Sequence, residues 1–361
     1  MPKVLILCNS LGGLYEFRKE LVQELTKQYQ VYISAPDEKH KEELEAVGCQ
    51  VLFTAINRRG MNPIQDMGLF LSYRKLLKTI RPDVILTYTI KPNIYGGLAA
   101  RLGRIPYITN ITGLGTTFER GGMLQKMVVA MYRMGIGKAS CVFFQNGTNR
   151  QVFQTHNIHG KKDRLVNGSG VNTTNHPLQP YPMHEKPSFL FVGRLMKEKG
   201  VEEFFHCVET FREQADFHII GYAEEDYEAR MQALVEKGNL FFHGYQTEVN
   251  RFYAQSDAVL VPSYHEGMSN VLLEAASCGR PVLASNIPGC KEGIEDAVTG
   301  FLFEARNAQA MEEAIRKFLA LSQEARKEMG LRGREKMERE IERSQVVQAY
   351  LEEIGQVMTE R

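Results

Sequence analysis

The segment SYHEGMSNVLLEAASCGRPVLAS, residues 263–285, contains two glutamates in a setting that could support ligand chemistry. Glu266 and Glu274 are separated by seven residues, across a loop and the start of a predicted helix. Asn270 can cap this helix, and the free N–H groups of its first turn favour an anion such as a diphosphate. Glu274 could accept hydrogen bonds from vicinal hydroxyls of a ribose. The same residues also fit an ordinary capped helix with a solvated glutamate. Both interpretations, a ligand site and an ordinary helix, stay open.

Two cations follow an apolar run in FVGRLMKEKGVEEF, residues 191–204. The predicted strand ends at Gly193, Arg194 comes next, and Lys199 stands five residues later. Arginine grips phosphate oxygens in a planar fork, and lysine supplies a point charge to the same group as it leaves. Surface cations near a helix start are the alternative. Together the two segments predict that the second half of the chain holds a nucleoside diphosphate.

Strands and helices must alternate along the chain to position these residues. Short apolar runs bounded by turn residues predict strands at 4–8, 31–35, 51–55, 84–88, 107–111 and 141–145, and again at 189–193, 217–221, 240–244, 258–262 and 281–285. Amphipathic stretches lie between them, so each half is predicted as a parallel sheet covered on both faces. In such sheets the ligand binds beyond the carboxyl ends of the strands.

The length of 361 residues and a hydrophobic content of 43% are enough for two cores. Residues 172–187 contain four prolines and no periodicity, which predicts a linker. We therefore expect an N-terminal domain over 1–171, a C-terminal domain over 188–335, and a closing helix over 336–361 that could cross back to the first domain.

The cysteine spacing, the apolar runs and the distribution of charge limit the classes of protein to which this chain can belong. The six cysteines are scattered without metal-ligand spacing, which fits reduced thiols in the cytoplasm. The chain opens with a strand-like run rather than a signal peptide, and no apolar run is long enough to span a bilayer. Up to residue 180 there are 23 Lys and Arg against 12 Asp and Glu, and beyond it 21 against 31, which gives about +11 and −10. The first half is thus expected to face something anionic, although no nucleic-acid-binding signature is present.

The pattern GRL…K-x-K-G, followed by E-G-x-x-N-V-L-L-E-A, resembles the retaining glycosyltransferases of family 4. The resemblance covers nearly the whole chain. It implies an α/β fold of the GT-B type, with two doubly wound Rossmann-like domains and an intervening cleft. The N-terminal domain would then bind the acceptor, and the C-terminal domain would bind a UDP-sugar.

The resemblance also implies individual roles. Arg194 and Lys199 would hold the diphosphate, and Glu266 would face the transferred sugar, so these three are the expected catalytic residues. The residues expected to bind the donor are Gly193, Tyr245, Gly267, Met268, Ser269, Asn270, Val271 and Glu274. Among them, Glu274 would bind the ribose, and the backbone of Tyr245 would meet the base.

Acceptor contacts are expected in the first half. The loop holding Gly12 and Gly13 resembles the family's glycine-containing loop after the first strand, which lies against the acceptor and the donor phosphates. Residues 91–118 resemble bacterial enzymes that extend sugars on undecaprenyl diphosphate for capsules, O-antigens or protein glycans. Many members have a histidine in this region, whereas this chain has Thr112, so Thr112, Thr116 or Lys91 is expected to replace it.

A methionine-rich helix over 121–139 carries Lys126, Arg133 and Lys138 among Met123, Met127, Val128, Met131 and Met134. Such a helix could lie in a membrane interface or pack in the core. With the basic first half and the lipid-linked acceptors of similar enzymes, it predicts a cytoplasmic protein in peripheral contact with the anionic inner face of the membrane.

The predicted reaction is transfer of a hexose or an N-acetylhexosamine from a UDP-sugar to a sugar acceptor, expected to be linked to polyprenyl diphosphate, with retention of configuration. The sequence has no D-x-D triplet, so neither a metal nor another cofactor is expected. Alternatives are a UDP-sugar epimerase and a non-catalytic nucleotide-sugar binder of the same fold. A nicotinamide oxidoreductase would require G-x-G-x-x-G after the first strand, where the chain reads NSLGGL.

Overall fold

The computed structural model describes residues 1–57, 62–113 and 122–360. The chain forms two compact units. The first comprises Met1–Ser169 and Ser344–Arg361, and the second comprises Gly170–Arg343. Each unit is a parallel sheet with helices on both faces, as the alternating pattern predicts.

The first unit has a seven-stranded sheet. Its strands are β1 (Lys3–Leu7), β2 (Gln30–Ala35), β3 (Gln50–Phe53), β4 (Val84–Tyr88), β5 (Tyr107–Ile111), β6 (Cys141–Phe144) and β7 (Asp163–Leu165). They lie in the order β3-β2-β1-β4-β5-β6-β7, and all pairs are parallel. The strands β4, β5 and β6 are buried along their whole length, which explains why they are continuous apolar runs rather than alternating ones.

The helices of this unit are α1 (Leu11–Thr26), α2 (Lys41–Ala46), α3 (Pro63–Ile80), α4 (Gly97–Gly103), α5 (Gly122–Ile136) and α6 (Gly147–Thr155). A π-helical turn, Pro92–Gly96, leads directly into α4. Side chains of Ser10, Asn62 and Asn146 cap α1, α3 and α6, and each accepts a hydrogen bond from a first-turn N–H.

The second unit has a six-stranded sheet. Its strands are β8 (Ser188–Val192), β9 (Asp216–Ile220), β10 (Leu240–Phe242), β11 (Ala258–Val261), β12 (Val282–Ser285) and β13 (Gly300–Phe303). The order is β10-β9-β8-β11-β12-β13, again all parallel. Its helices are α7 (Val201–Thr210), α8 (Glu228–Glu236), α9 (Asn250–Ala254), α10 (Asn270–Ser277), α11 (Ala308–Leu319) and α12 (Gln323–Lys336).

Residues 172–187, predicted as a linker, belong to the second unit and are fastened to it by two arginines. The fully buried Arg280 donates to the carbonyl oxygens of Gln179 and Pro180. Arg334 donates to the carbonyl oxygens of Thr173 and His176. These hydrogen bonds fasten the proline-containing segment to the second unit.

The closing helix, α13 (Arg343–Thr359), follows a second π-helical turn, Met337–Ile341. Apart from its first residue it belongs to the first unit, where Val346, Val347 and Ile354 join the core that contains Val4 and Ile6. The ring of Tyr350 stacks on Phe143 with ring centroids 4.2 Å apart. The first unit is therefore assembled from both ends of the described chain.

Candidate active site

The predicted donor residues gather at the carboxyl ends of the central strands of the second sheet. Gly193 follows β8, the segment 263–266 follows β11, and these two strands are adjacent. The strand order reverses at this pair, because the chain moves outward through β9 and β10 on one side and through β12 and β13 on the other. Such a switch point is where open parallel sheets bind ligands.

Glycines allow the loops at this edge to approach each other closely. Gly200 has a φ of 73°, and a Cβ on it would overlap the carbonyl oxygen of Pro262 at the end of β11. Gly221, after β9, has a φ of 150°, and its Cβ would overlap the carbonyl oxygen of Gly193. Both positions need a residue without a side chain.

Lys199 and Glu266 form an ion pair, with 2.6 Å between Nζ and Oε1. Lys199 lies on a short 3₁₀ turn, Lys197–Lys199, which is tied to the β11 loop because Tyr264 N–H donates to Glu198 O at 2.9 Å. The hydroxyl of Ser263 donates to the same Glu266 oxygen at 2.8 Å. Two predicted catalytic residues, 67 positions apart in sequence, are therefore in direct contact.

Arg194 is nearly half exposed and forms an ion pair with Glu224. Glu224 lies in the loop after β9, the strand adjacent to β8. The next residue, Glu225, accepts a hydrogen bond from the backbone N–H of Lys197 at 2.8 Å. Each predicted diphosphate cation therefore has a carboxylate partner. Sequence reasoning missed Glu224, since a glutamate in an acidic loop has no distinguishing pattern.

The helix α10 begins at Asn270, but its cap is Ser269 rather than Asn270. Ser269 has an extended backbone and its Oγ faces Leu272 N–H, whereas Asn270 is already in the first helical turn. Ser269 N–H donates to Gly289 O at 2.8 Å, and Gly289 packs against the carbonyl oxygens of Glu266 and Gly267. The side chain of Met268 is buried in the core, and that of Val271 packs against the same core.

Glu274 is fixed by the buried Tyr253, whose hydroxyl donates to Glu274 Oε2 at 3.1 Å. Burial, and then the Glu274 carboxylate, raise the pKa of Tyr253 well above its usual value, so the phenol stays protonated and remains a donor. Glu274 itself is only partly buried. Tyr253 was not predicted, because its spacing from Glu274 crosses a strand and a loop.

Two exposed tyrosines stand side by side at the ends of β9 and β10. Tyr222 and Tyr245 are 49% and 61% exposed, and their ring centroids are 6.4 Å apart. Each follows a glycine, and Gly221 N–H donates to Gly244 O at 2.9 Å. Tyr222 was not predicted, although the similarity between the segments FHIIGY (217–222) and LFFHGY (240–245) could have indicated it. Paired exposed rings suit a flat ligand such as a base.

In the first unit, Gly12 and Gly13 lie in the first turn of α1. The N–H of Gly13 donates to Ser10 Oγ at 3.1 Å, and that of Leu11 donates to the Asp37 carboxylate at 3.1 Å. A Cβ on Gly12 would collide with the side chain of Lys39. This helix end therefore already has an internal carboxylate, Asp37.

Lys91 and Asp66 form an ion pair at 2.7 Å in which both side chains are largely buried. Burial, and then the Asp66 carboxylate, raise the pKa of the neighbouring Tyr95. Thr89, two residues before Lys91, has a φ of 72°, which is strained for a β-branched residue. Thr112 follows β5 and is partly buried, while Thr116 lies outside the described residues.

Within residues 1–57, 62–113 and 122–360, no group of three or more His, Cys, Asp or Glu residues could hold a metal ion. The six cysteines, all within the described residues, are buried and form no disulfide. Burial, and then Glu266, raise the pKa of the Cys290 thiol well above its usual value, so this cysteine is not a thiolate nucleophile. No described helix has the length and apolar character needed to cross a bilayer.

Comparison with known families assigns each half of the chain to a glycosyltransferase family. Residues 3–146 match the family Glycosyl transferase 4-like, and residues 178–336 match the family Glycosyl transferases group 1. Both halves of the chain therefore consist of glycosyltransferase domains. The chain belongs to the glycosyltransferases that combine these two domains, as its motifs predict.

Two curated relatives cover most of the chain. A Campylobacter jejuni N,N'-diacetylbacillosaminyl-diphospho-undecaprenol alpha-1,3-N-acetylgalactosaminyltransferase is 24% identical, over 86% of this chain and 87% of its own. An Escherichia coli UDP-Gal:alpha-D-GlcNAc-diphosphoundecaprenol alpha-1,3-galactosyltransferase is 27% identical, over 71% of each chain. Among solved structures, Anabaena Alr3699/HepE in complex with UDP-glucose has a TM-score of 0.82, 17% identity, and coverage of 99% and 100%. This structural similarity shows that the chain has the same fold as the Anabaena protein.

Proposed function

We propose that this enzyme transfers a hexose or an N-acetylhexosamine from a UDP-sugar to a saccharide on polyprenyl diphosphate, in the synthesis of a surface polysaccharide or glycan. The single observation that carries the proposal is the contact between Lys199 and Glu266 at the switch point of the second sheet. The acceptors in the names of the Campylobacter and Escherichia relatives support it, and so does the UDP-glucose complex of the Anabaena structure.

When the donor binds, Arg194 and Lys199 exchange their carboxylate partners for the diphosphate. The diphosphate takes the place of Glu224 on Arg194 and of Glu266 on Lys199, and the start of α10 adds backbone N–H groups. Glu266, released from Lys199, is then free to accept a hydrogen bond from a hydroxyl of the transferred sugar. Glu274 accepts hydrogen bonds from the ribose, while Tyr222 and Tyr245 pack near the base.

The reaction needs no nucleophile from the protein. The acceptor hydroxyl oxygen bonds to the anomeric carbon on the face that the diphosphate leaves, so the configuration is retained. The bond from that carbon to the β-phosphate oxygen breaks, and the hydroxyl proton passes to a β-phosphate oxygen. Arg194 and Lys199 stabilise the negative charge that grows on UDP, in place of a metal ion.

The acceptor is assigned to residues of the first unit. Thr112 and the turn that holds Lys91 follow β5 and β4, and Gly12 and Gly13 follow β1, so all lie toward the carboxyl edge of that sheet. We place the enzyme in the cytoplasm, at the inner face of the membrane where a polyprenyl-linked acceptor resides. The exposed side chains of Met123, Met127 and Met134 on α5 support this location.

The test is UDP release from a panel of UDP-sugars, with and without a short-chain polyprenyl-diphosphate-linked saccharide, in chelator-treated buffer. We expect one donor to give release that rises sharply with the acceptor, and NMR of the product to show the anomeric configuration of the donor. Tight binding without release for every donor and acceptor would contradict transfer. An inverted product, or a strict need for added metal, would contradict the mechanism.

A further inference from the structure

A buried glutamate lies four residues after Lys199 in the second unit. Glu203 is the third residue of α7, and it is only 8% exposed. The next two residues, Phe204 and Phe205, are fully buried in the core of this unit. A carboxylate at such a position costs free energy that an apolar side chain would not, so its presence needs a physical cause.

A tyrosine from the loop after β11 holds this carboxylate. The hydroxyl of Tyr264 donates to the two oxygens of Glu203 at 2.8 and 2.9 Å. Tyr264 is itself buried, and the guanidinium carbon of Arg306 lies 4.9 Å from the centroid of its ring. Burial, and then the hydrogen bond to Glu203, raise the pKa of Tyr264, so the phenol stays protonated and remains a donor. The contact joins the first turn of α7 to the β11 loop.

The Tyr264–Glu203 contact connects the same two segments as the proposed catalytic ion pair. Tyr264 stands two residues before Glu266, and Glu203 follows Lys199 by one turn of chain. These segments are also joined by the Lys199–Glu266 pair and by the hydrogen bond from Tyr264 N–H to Glu198 O. Lys199 and Glu266 are partly exposed, whereas Tyr264 and Glu203 are buried. A ligand can therefore reach the ion pair more readily than the Tyr264–Glu203 contact.

The two side-chain contacts differ in what a donor does to them. In the proposed function the diphosphate takes Lys199 away from Glu266, so the ion pair is lost when both side chains must be held in place for transfer. A misplacement of about 1 Å in a reactive site can lower turnover about 100-fold. The buried contact has no role in binding the donor and stays formed. It can hold the two segments together when the ion pair is open.

We propose that Glu203 and Tyr264 are positioning residues for sugar transfer. Their hydrogen bonds keep the turn of Lys199 beside the loop of Glu266 after a donor diphosphate has opened that ion pair. The proposal rests on the proposed function, in which the diphosphate replaces Glu266 on Lys199. The start of α10 does not depend on this contact, because the N–H of Ser269 donates to the loop after β12. The effect is thus expected on Lys199 and Glu266 rather than on the whole diphosphate site.

The first test is hydrogen–deuterium exchange of residues 263–266, measured by mass spectrometry with and without UDP. In Tyr264→Phe without UDP, the Lys199–Glu266 pair still joins the segments, so exchange should stay near that of the parent. With UDP bound, exchange should rise about tenfold above that of the UDP-bound parent, because one hydrogen bond to a charged group shifts a local opening equilibrium by about that factor. A role in the fold alone predicts the same rise with and without UDP.

Turnover separates positioning from stability. Tyr264→Phe leaves the Glu203 carboxylate without its donor, so the melting temperature and the turnover number should both fall. Y264F/E203M replaces both polar groups with apolar ones, which should restore the melting temperature. Its turnover should stay about tenfold below the parent, because apolar packing has no fixed direction. Its dissociation constant for UDP should change much less, since Arg194 and the start of α10 still bind the diphosphate.

Two further variants are controls. Glu203→Gln keeps an oxygen that accepts from the Tyr264 hydroxyl, so it should keep most of the parent's turnover. Tyr227→Phe removes a hydroxyl whose pKa is raised by burial and then by a hydrogen bond to Glu202, the neighbour of Glu203 on α7. It should leave exchange at 263–266 and turnover unchanged.

The outcomes distinguish this proposal from the proposed reaction. Parent turnover in Y264F/E203M, or an equal rise in exchange with and without UDP in Tyr264→Phe, would overturn the positioning role. If the parent transfers no sugar to any acceptor while Tyr264→Phe shows the UDP-dependent rise in exchange, the proposed reaction is contradicted and the positioning of the two segments stands.

Discussion

A lysine–carboxylate pair near the carboxyl edge of the first sheet can be compared with one at the same edge of the second sheet, and the two pairs differ in exposure. In the first unit the side chains of Lys91 and Asp66 are 13% and 7% exposed, and in the second those of Lys199 and Glu266 are 26% and 15% exposed. The N–O distances, 2.7 and 2.6 Å, are nearly the same. We expect this difference in exposure to separate a pair that mainly holds local structure from one that can exchange its partner for a ligand.

The largest effect is expected from breaking the buried pair. Lys91→Met leaves the Asp66 carboxylate without its cation, which should lower the free energy of unfolding by about 3–5 kcal/mol in urea denaturation. The double variant D66L/K91M should recover much of that loss, because both charges are then gone. A Lys91→Met enzyme that keeps its stability but loses acceptor binding would reverse the comparison and support the acceptor role predicted for Lys91.

Lys199→Ala should have a smaller effect on stability but a large one on the reaction. Removal of one group that stabilises the transition state costs about 10²–10³ in turnover, and the partly exposed pair adds little to the free energy of unfolding. Steady-state UDP release measures this loss. Lys197→Ala, on the same 3₁₀ turn, is the matched control and should stay near the parent. Equal losses in both variants would show that the turn, rather than the Lys199 charge, is needed.

Glu274→Ala should mainly weaken UDP binding, with turnover changed less. Tyr253→Phe should weaken UDP binding about tenfold, because one hydrogen bond to a charged group is worth about 1.5–3 kcal/mol and Tyr253 acts only through Glu274. Calorimetric titration with UDP measures the dissociation constant of each variant. In the double variant the tyrosine substitution should add nothing. Additive losses would mean that Tyr253 serves the fold independently of Glu274.

The smallest effect concerns the exposed pair at Arg194. Glu224→Gln removes the carboxylate that competes with the ligand, so UDP should bind about two- to fivefold more tightly, within the range of an exposed ion pair. Glu225→Gln, one residue along, is the control and should leave UDP affinity unchanged. Weaker binding in Glu224→Gln would show that Glu224 orients Arg194 instead of competing for it.

The sequence predicted the fold well where strands are buried. Eleven strands were expected from apolar runs, and the structure adds β7 and β13. The three residues of β7 are Asp163, Arg164 and Leu165, which have no apolar pattern, and β13 is a four-residue run that begins with Gly300. Short edge strands are determined by pairing with their neighbours, which composition does not reveal.

The candidate site was predicted in part. The motif residues Arg194, Lys199, Glu266 and Glu274 lie at one sheet edge or on the helix beside it, and the structure brings Lys199 to Glu266. Their partners Glu224 and Tyr253 come from other loops and helices, where only the tertiary fold creates the contact. Ser269 displaced Asn270 as the helix cap, because both residue types cap well and the neighbouring backbone decides between them.

The last helix has a consequence for the order in which the chain folds during synthesis. Core residues of the first unit, Val4 and Ile6, cluster with Tyr350 and Ile354 near the other end of the sequence. On the ribosome the first sheet emerges early, yet the apolar side that α13 covers stays open until the whole second unit has been made. The second unit can complete its core first, so the nascent first sheet is the stage at which chaperone binding or aggregation is expected.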